Sequence, residues 1–96
     1  MSYFVYILFS ERCDLYYKGY TENYDRRLWE HNSDIGRYSN SKGPWVIVYL
    51  KECPTKRDAL IEERRLKRLN RRSLEKLIQS SGNEVMEFNS EGSSVD

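Results

Sequence analysis

The sequence has little of what disulfide-rich, zinc-binding or membrane-spanning proteins need. Its two cysteines, Cys13 and Cys53, lie 40 positions apart, and it has one histidine in 96 residues, so neither a disulfide scaffold nor a zinc site is indicated. The longest apolar run, Tyr3–Phe9, has seven residues, whereas a spanning helix needs roughly 20. No export signal is visible. We therefore expect free thiols, a cytoplasmic location and no membrane partner.

Charge is unevenly distributed along the chain. Hydrophobic residues make up 39% and aromatic residues 14%, enough for one small folded domain. Residues 1–79 hold all 16 basic residues against 11 acidic ones, whereas residues 80–96 hold four acidic residues and no basic ones. We predict a folded domain over residues 1–79 and an acidic, disordered tail over residues 80–96.

Residues 64–76 form a basic stripe, with seven Arg or Lys side chains in thirteen positions and only Glu75 opposing them. Such a stripe suits a phosphate backbone, although a solvated helix face carries charge in the same way. The predicted nucleic-acid contacts within the stripe are Arg64, Lys67, Arg68, Arg71 and Arg72.

The apolar pattern predicts an α/β fold. Runs of β-branched and aromatic residues predict strands over Tyr3–Phe9, Leu15–Tyr20 and Trp45–Leu50, and the polar segment before the third run predicts a loop over Ser33–Pro44. Together they predict a small three-stranded sheet, antiparallel or mixed, flanked by helices.

Capping residues predict where the helices lie. The first begins after Thr21 or Asn23 and ends at Asn32, and the second follows Thr55. Asn70 interrupts that second helix, and a shorter one follows over residues 73–79.

Four short motifs lie on these elements in a fixed order. They are Val5-Tyr6-Ile7 on the first strand, Tyr17-Lys18-Gly19 on the second, Arg27 with His31 on the first helix, and Glu63 between Leu60 and Leu66 on the second helix. In this order and spacing the chain resembles the GIY-YIG nuclease superfamily over roughly residues 3–78. It is most similar to the small stand-alone bacterial members and to the N-terminal nuclease domain of the bacterial excinuclease.

The resemblance implies a GIY-YIG endonuclease-like fold and a divalent-metal-dependent endonuclease. Such an enzyme hydrolyses phosphodiester bonds in nucleic acid, with DNA favoured over RNA and structure favoured over sequence. The implied cofactor is Mg²⁺ or Mn²⁺, the implied process is DNA repair, and a protein partner that supplies substrate specificity is compatible with the resemblance.

The resemblance also implies an active site that includes Tyr6 and Tyr17. A tyrosine with a pKa near 10 is a poor base at pH 7 unless neighbouring cations lower that pKa, and Lys18, Arg27 and His31 are candidates for this. Which tyrosine acts as the base stays open, with a slight preference for Tyr6. The alternative for each tyrosine is a core ring with its hydroxyl at the surface.

Arg27 and His31 lie four residues apart and share a helix face. The resemblance implies that Arg27 binds the scissile phosphate and that His31 assists proton transfer, whereas an exposed, solvated face is the alternative. Arg26 points about 100° away from Arg27 on an ideal helix, and we expect it to be solvated.

Glu63 is the implied metal ligand. Periodicity alone does not separate it from Glu62, because both lie within one apolar arc, and the family spacing selects Glu63. A salt bridge from Glu63 to Lys67 is the alternative.

Lys18 departs from the family pattern, which has an apolar residue there. It is a predicted nucleic-acid contact, although strand alternation turns it away from Tyr17.

Two other functions remain open: a non-catalytic nucleic-acid-binding module, and an interaction subunit of a DNA repair complex. The bracketed Glu63 favours the nuclease, because a binding module has no need of it.

Overall fold

A computed structural model describes residues 2–32 and 44–86. Nearly all of the predicted loop over Ser33–Pro44 lies outside these residues. Within them, no helix is long and apolar enough to cross a membrane. The elements are β1 (Tyr3–Ser10), β2 (Leu15–Thr21), α1 (Tyr24–Asn32), β3 (Trp45–Cys53), α2 (Lys56–Arg68) and α3 (Arg71–Ile78).

The three strands form one antiparallel sheet in the order β2-β1-β3, which confirms the predicted α/β fold and selects the antiparallel arrangement. β1 takes the centre because it is the most apolar strand, with residues 5–8 all buried. Tyr6 lies opposite Gly19, and Leu8 lies opposite Tyr17. These four residues therefore share one face of the sheet.

Each face of the sheet is covered by different helices. Tyr6, Leu8 and Trp45 pack on one face with Leu28 of α1. Val5, Ile7 and Tyr49 pack on the other face with Leu66 of α2 and Leu74 of α3. Each fully buried side chain of this size contributes about 1.5–3 kcal/mol to the free energy of unfolding, so both layers stabilise the sheet.

The helices begin where the sequence supplies capping side chains. Asn23 accepts a hydrogen bond from the amide of Arg26, and Thr55 accepts one from the amide of Asp58, each at 3.1 Å. Asn70 is the cap of α3, so this helix begins at Arg71, two residues earlier than predicted. The third strand also continues beyond its predicted end, to Cys53.

Residues 83–85 pack against β3, which corrects, for this segment, the expectation of a disordered tail over residues 80–96. The side-chain amide of Asn83 donates to the carbonyl of Val48, the extra residue of a β-bulge, at 2.8 Å. The amide of Glu84 donates to the carbonyl of Leu50 at 2.8 Å, and Val85 is only 8% exposed. The domain boundary at residue 79 stays a prediction, and residues 87–96 of the expected tail lie outside the described residues.

Candidate active site

An open cleft of about 660 Å³ lies at the edge of the sheet formed by β2. Its lining comes from both faces of the sheet, since Tyr6, Gly19 and Tyr20 all contribute to it. The cleft therefore wraps around the β2 edge. The α1 wall consists of Asn23, Arg26, Arg27 and Glu30, and the α2 wall consists of Lys56 and Glu63.

Tyr6 lies at the centre of this arrangement and is only 2% exposed. Its hydroxyl accepts a hydrogen bond from Nε of Arg27 at 3.3 Å and lies 3.5 Å from Nε2 of His31. Burial raises the pKa of Tyr6 to about 12, against the opposing effect of the Arg27 guanidinium. The phenol is therefore protonated at neutral pH.

His31 is buried, at 3% exposure, so the alternative of a solvated surface histidine is wrong. The rings of Tyr17 and Trp45 cover it, with centroid distances of 4.7 and 6.2 Å. Burial and the neighbouring Arg27 charge lower the pKa of His31. Its imidazole is consequently neutral at pH 7 and able to accept a proton from Tyr6.

Arg27 links the buried tyrosine to the open part of the cleft. Its Nε donates to the Tyr6 hydroxyl, while its Nη1 donates to Oε1 of Glu30 at 3.0 Å. Both interactions raise the pKa of Arg27, so its charge is fixed. Arg26 is solvated as expected, with a side chain that is 75% exposed, but it also lines the cleft and pairs with Glu30 at 3.3 Å.

Gly19 makes room for Tyr6. A Cβ atom at Gly19 would lie 2.7 Å from the hydroxyl oxygen of Tyr6 and 2.9 Å from the carbon that bears it. Both distances are too short for any side chain. The sequence analysis places Gly19 in the second motif but assigns it no role. Its position two residues after Tyr17, on the same face of the strand, is the signal that could have identified it.

Glu63 approaches the same cleft from α2, the helix on the opposite face of the sheet. Its side chain is 15% exposed and pairs with Lys67 at 3.8 Å, so the ion pair that the sequence offered as an alternative does form. Glu62 is engaged elsewhere, because Arg65 pairs with it at 2.7 Å and the Tyr49 hydroxyl donates to it at 3.5 Å. Of the two carboxylates that periodicity left open, Glu63 is the one that lines the cleft.

The cleft suits a hard divalent cation better than zinc. Mg²⁺ binds through one or two carboxylates and keeps several waters, and Glu63 offers one carboxylate in the lining of the cleft. Residues 2–32 and 44–86 contain no group of three or more His, Cys, Asp or Glu side chains that could hold a metal ion. The donor set therefore fits Mg²⁺ or Mn²⁺.

The predicted nucleic-acid contacts lie apart from the cleft lining. Lys18 is paired opposite Ile7, on the face away from Tyr17. Arg71 is tied to Asp14, to Glu75 and to the ring of Tyr16, and Lys67 pairs with Glu63. Arg64, Arg68 and Arg72 are exposed, and among the described residues no ion pair engages them.

Comparison with known proteins covers most of the chain. Residues 2–77 match the family model of the GIY-YIG catalytic domain. A UPF0213 protein of Halalkalibacterium halodurans is 36% identical over 83 residues, which cover 85% of this chain and 87% of that protein. A UPF0213 protein of Oceanobacillus iheyensis is 38% identical over 79 residues, which cover 81% of this chain and 91% of the relative.

A solved structure is similar as well. The solution NMR structure of a UPF0213 protein from Bacillus halodurans gives a TM-score of 0.56 at 36% identity, and the match covers 85% of this chain and 87% of that one. The three-stranded sheet with its helices is therefore the fold of the relative too.

Proposed function

This chain belongs to the GIY-YIG family, and from that premise we propose that it is a divalent-metal-dependent endonuclease that hydrolyses phosphodiester bonds in nucleic acid, DNA in particular. One observation supports the proposal most. The Tyr6 hydroxyl lies between a fixed cation, Arg27, and a neutral imidazole, His31, in a cleft whose other wall carries Glu63.

Arg27 binds the scissile phosphate in this proposal. Its side chain is 44% exposed, and its guanidinium offers donors in a planar fork that matches phosphate oxygens. Glu30 holds one of these donors in the free protein, and the incoming phosphate replaces that carboxylate. A fixed positive charge aimed at the phosphate stabilises the charge that develops in the transition state.

The attacking water loses its proton through Tyr6 and His31. A phenol with a pKa of about 12 is too weak an acid to exist as phenolate at pH 7. It takes a proton from water only while it gives its own proton to a neighbour. His31 lies within reach of the hydroxyl at 3.5 Å and is neutral. This arrangement favours Tyr6 over Tyr17 as the immediate acceptor.

Glu63 would hold the divalent cation, Mg²⁺ or Mn²⁺. When bound there, such an ion supplies stabilisation of negative charge on the phosphate and leaving-group oxygens. The cleft lining has no net positive charge of its own. Its three cationic side chains, Arg26, Arg27 and Lys56, are matched by three carboxylates, Glu22, Glu30 and Glu63. A bound divalent cation would supply the missing positive charge.

The substrate preference follows from the same lining. Arginine and tyrosine side chains in the cleft contact phosphate and sugar, and such contacts carry no base sequence directly. We therefore propose recognition of ends or branches rather than of a sequence. Cleavage of this kind is a step in DNA repair, which is the setting we propose, in the cytoplasm and with a protein partner that supplies further specificity.

A cleavage assay tests this function. Single-stranded, duplex and branched DNA, and matching RNA, are incubated with the protein in Mg²⁺, Mn²⁺ or chelator. We expect metal-dependent cuts in branched or frayed DNA, and none from a Tyr6→Phe variant that melts normally. Tight binding without any cleavage in either metal would replace the nuclease with a binding module. Cleavage that arises only with an added protein would indicate an interaction subunit.

A further inference from the structure

Lys56 lines the α2 wall of the cleft, and the mechanism above gives it no task. It is the first residue of α2 and is exposed. Within residues 2–32 and 44–86, no carboxylate pairs with it. Arg26 and Arg27, by contrast, both lie on the α1 wall and share Glu30. Lys56 is therefore the cation of the cleft lining that carries no ion pair.

The size of the cleft calls for more than one phosphate. A volume of about 660 Å³ is in the range that holds a whole organic ligand of several hundred Å³. The scissile phosphate, between Arg27 and Glu63, occupies only part of this volume. On the α2 side the lining includes Tyr3, Tyr20 and Lys56, two aromatic rings and a cation that suit a further sugar-phosphate unit.

The spacing along α2 fixes how far away that unit lies. Lys56 and Glu63 are seven residues apart, or two helical turns, so they share one side of the helix and lie roughly 10 Å apart along its axis. One strand of duplex DNA rises about 3.4 Å per nucleotide. Lys56 therefore reaches a phosphate within about three nucleotides of the one beside Glu63.

We propose that Lys56 binds a second backbone phosphate of the same strand, within three nucleotides of the scissile bond, on the α2 side of the β2 edge. The strand then crosses the sheet edge and is held at Arg27 on one side and at Lys56 on the other. This inference rests on the proposed function. It implies that the substrate strand must continue past the cleavage site, so that isolated single phosphodiesters are poor substrates.

Binding tests the contact without any need for catalysis. The probe is a labelled branched DNA, titrated in chelator at several salt concentrations with wild type, Lys56→Ala and Arg57→Ala. Arg57 is the matched control, since it is exposed on the same helical turn and does not line the cleft. We expect Lys56→Ala to bind about tenfold more weakly and to lose about 0.7–0.9 from the slope of log K against log salt. Arg57→Ala should match wild type, and Lys56→Arg should retain most of the slope.

A single-phosphate probe separates this role from a structural one. Hydrolysis of bis-p-nitrophenyl phosphate, which has no neighbouring phosphate, should be equal in wild type and Lys56→Ala. Oligonucleotide cleavage by Lys56→Ala should show a raised KM. A methylphosphonate at one of the three flanking positions removes the charge of that phosphate and should raise the KM of wild type by the same factor. The same substitution should leave the KM of Lys56→Ala unchanged.

Equal salt slopes for Lys56→Ala and wild type would overturn the second phosphate contact, whether or not the protein cleaves DNA. A loss of bis-p-nitrophenyl phosphate hydrolysis in Lys56→Ala would overturn it as well, because Lys56 would then act at the scissile phosphate or on the fold. If wild type cleaves no substrate but the slopes differ as expected, the nuclease proposal fails and the contact at Lys56 stands.

Discussion

The hydrogen bonds of the site depend on where the phenol proton of Tyr6 points. Arg27 has donors only, so the phenol oxygen must accept from it, and the single phenol proton is then free to point at His31. The His31 tautomer with its own proton on Nδ1 accepts that phenol proton at Nε2. Three side chains from β1 and α1 thus define one direction of proton flow.

The single histidine of the chain makes its titration measurable. Its pKa lies below the ordinary 6.5, so the unfolded chain binds a proton there more readily than the folded one does. The free energy of unfolding should therefore fall as the pH drops below about 6.5, and kcat/KM should fall at lower pH, through the pKa of the folded protein. NMR of the one imidazole checks the pKa directly. Titration above 6.5 would contradict the neutral acceptor.

Glu63→Gln should abolish metal-dependent cleavage while nucleic-acid binding persists, because the amide keeps the shape and loses the charge that holds the cation. Binding in chelator should not weaken, since the substitution removes a carboxylate from the cleft. Cleavage rates and anisotropy titrations measure the two effects. Glu62→Gln is the control, because Glu62 pairs with Arg65 away from the cleft. Equal cleavage by Glu63→Gln and wild type would refute the metal-ligand assignment.

Gly19→Ala should impair cleavage strongly, because the new methyl group meets the Tyr6 hydroxyl at 2.7 Å and the ring must move away from Arg27 and His31. Overpacking of this kind costs about 1–3 kcal/mol, which thermal melts will measure. Gly82→Ala is the matched control, since its nearest neighbour lies at 3.8 Å. Full activity of Gly19→Ala would show that the position of the Tyr6 hydroxyl is not critical.

At the scale of elements, the segment after α3 behaves as part of the sheet. Asn83 uses its side chain to bind the carbonyls of Val48 and Ile78 and the amide of Leu50. It thus joins the end of α3 to the bulge in β3. The side chain of Val85 then closes the core beneath Leu50.

Truncation should locate the end of the stable unit. A chain that ends at Met86 should melt like the full chain, whereas one that ends at Gln79 loses the Asn83 bonds and the burial of Val85, and should be less stable by about 2–4 kcal/mol. Denaturant titration of both chains measures this difference. If the two truncated chains were equally stable, residues 83–85 would contribute nothing to the fold.

At the scale of the whole molecule, the sequence alone predicted the sheet, the helices and the order of the motifs, because these follow from local periodicity and capping residues. The features it missed depend on contacts between distant segments. Arg71 binds Asp14, 57 positions away, which no local pattern indicates, and its predicted contact with nucleic acid stays a prediction. Val85 is buried against distant parts of the fold, and the local pattern after Gly82 does not reveal this burial.

The positive charge of the molecule divides into cations that are ion-paired and cations that are not. Among the described residues of the stripe, Arg64, Arg68 and Arg72 are the unpaired arginines. Replacing all three with Ala should therefore flatten the plot of log K against log salt by about 0.9 per lost duplex contact. Arg71→Ala should mainly lower the melting temperature. An unchanged slope in the triple variant would mean that the stripe is a solvated face.

The position of β2 has a consequence for the protein in the absence of substrate. In the part of the chain that the structure describes, residues 83–85 cover part of the outer side of β3, whereas β2 pairs on one side only. An open strand edge is a template for edge-to-edge aggregation. Here that edge is also the floor of the cleft, so a strand added by a second copy would cover Tyr17 and Gly19. Self-association through β2 and substrate binding therefore exclude each other, and a bound nucleic acid protects this edge from such aggregation.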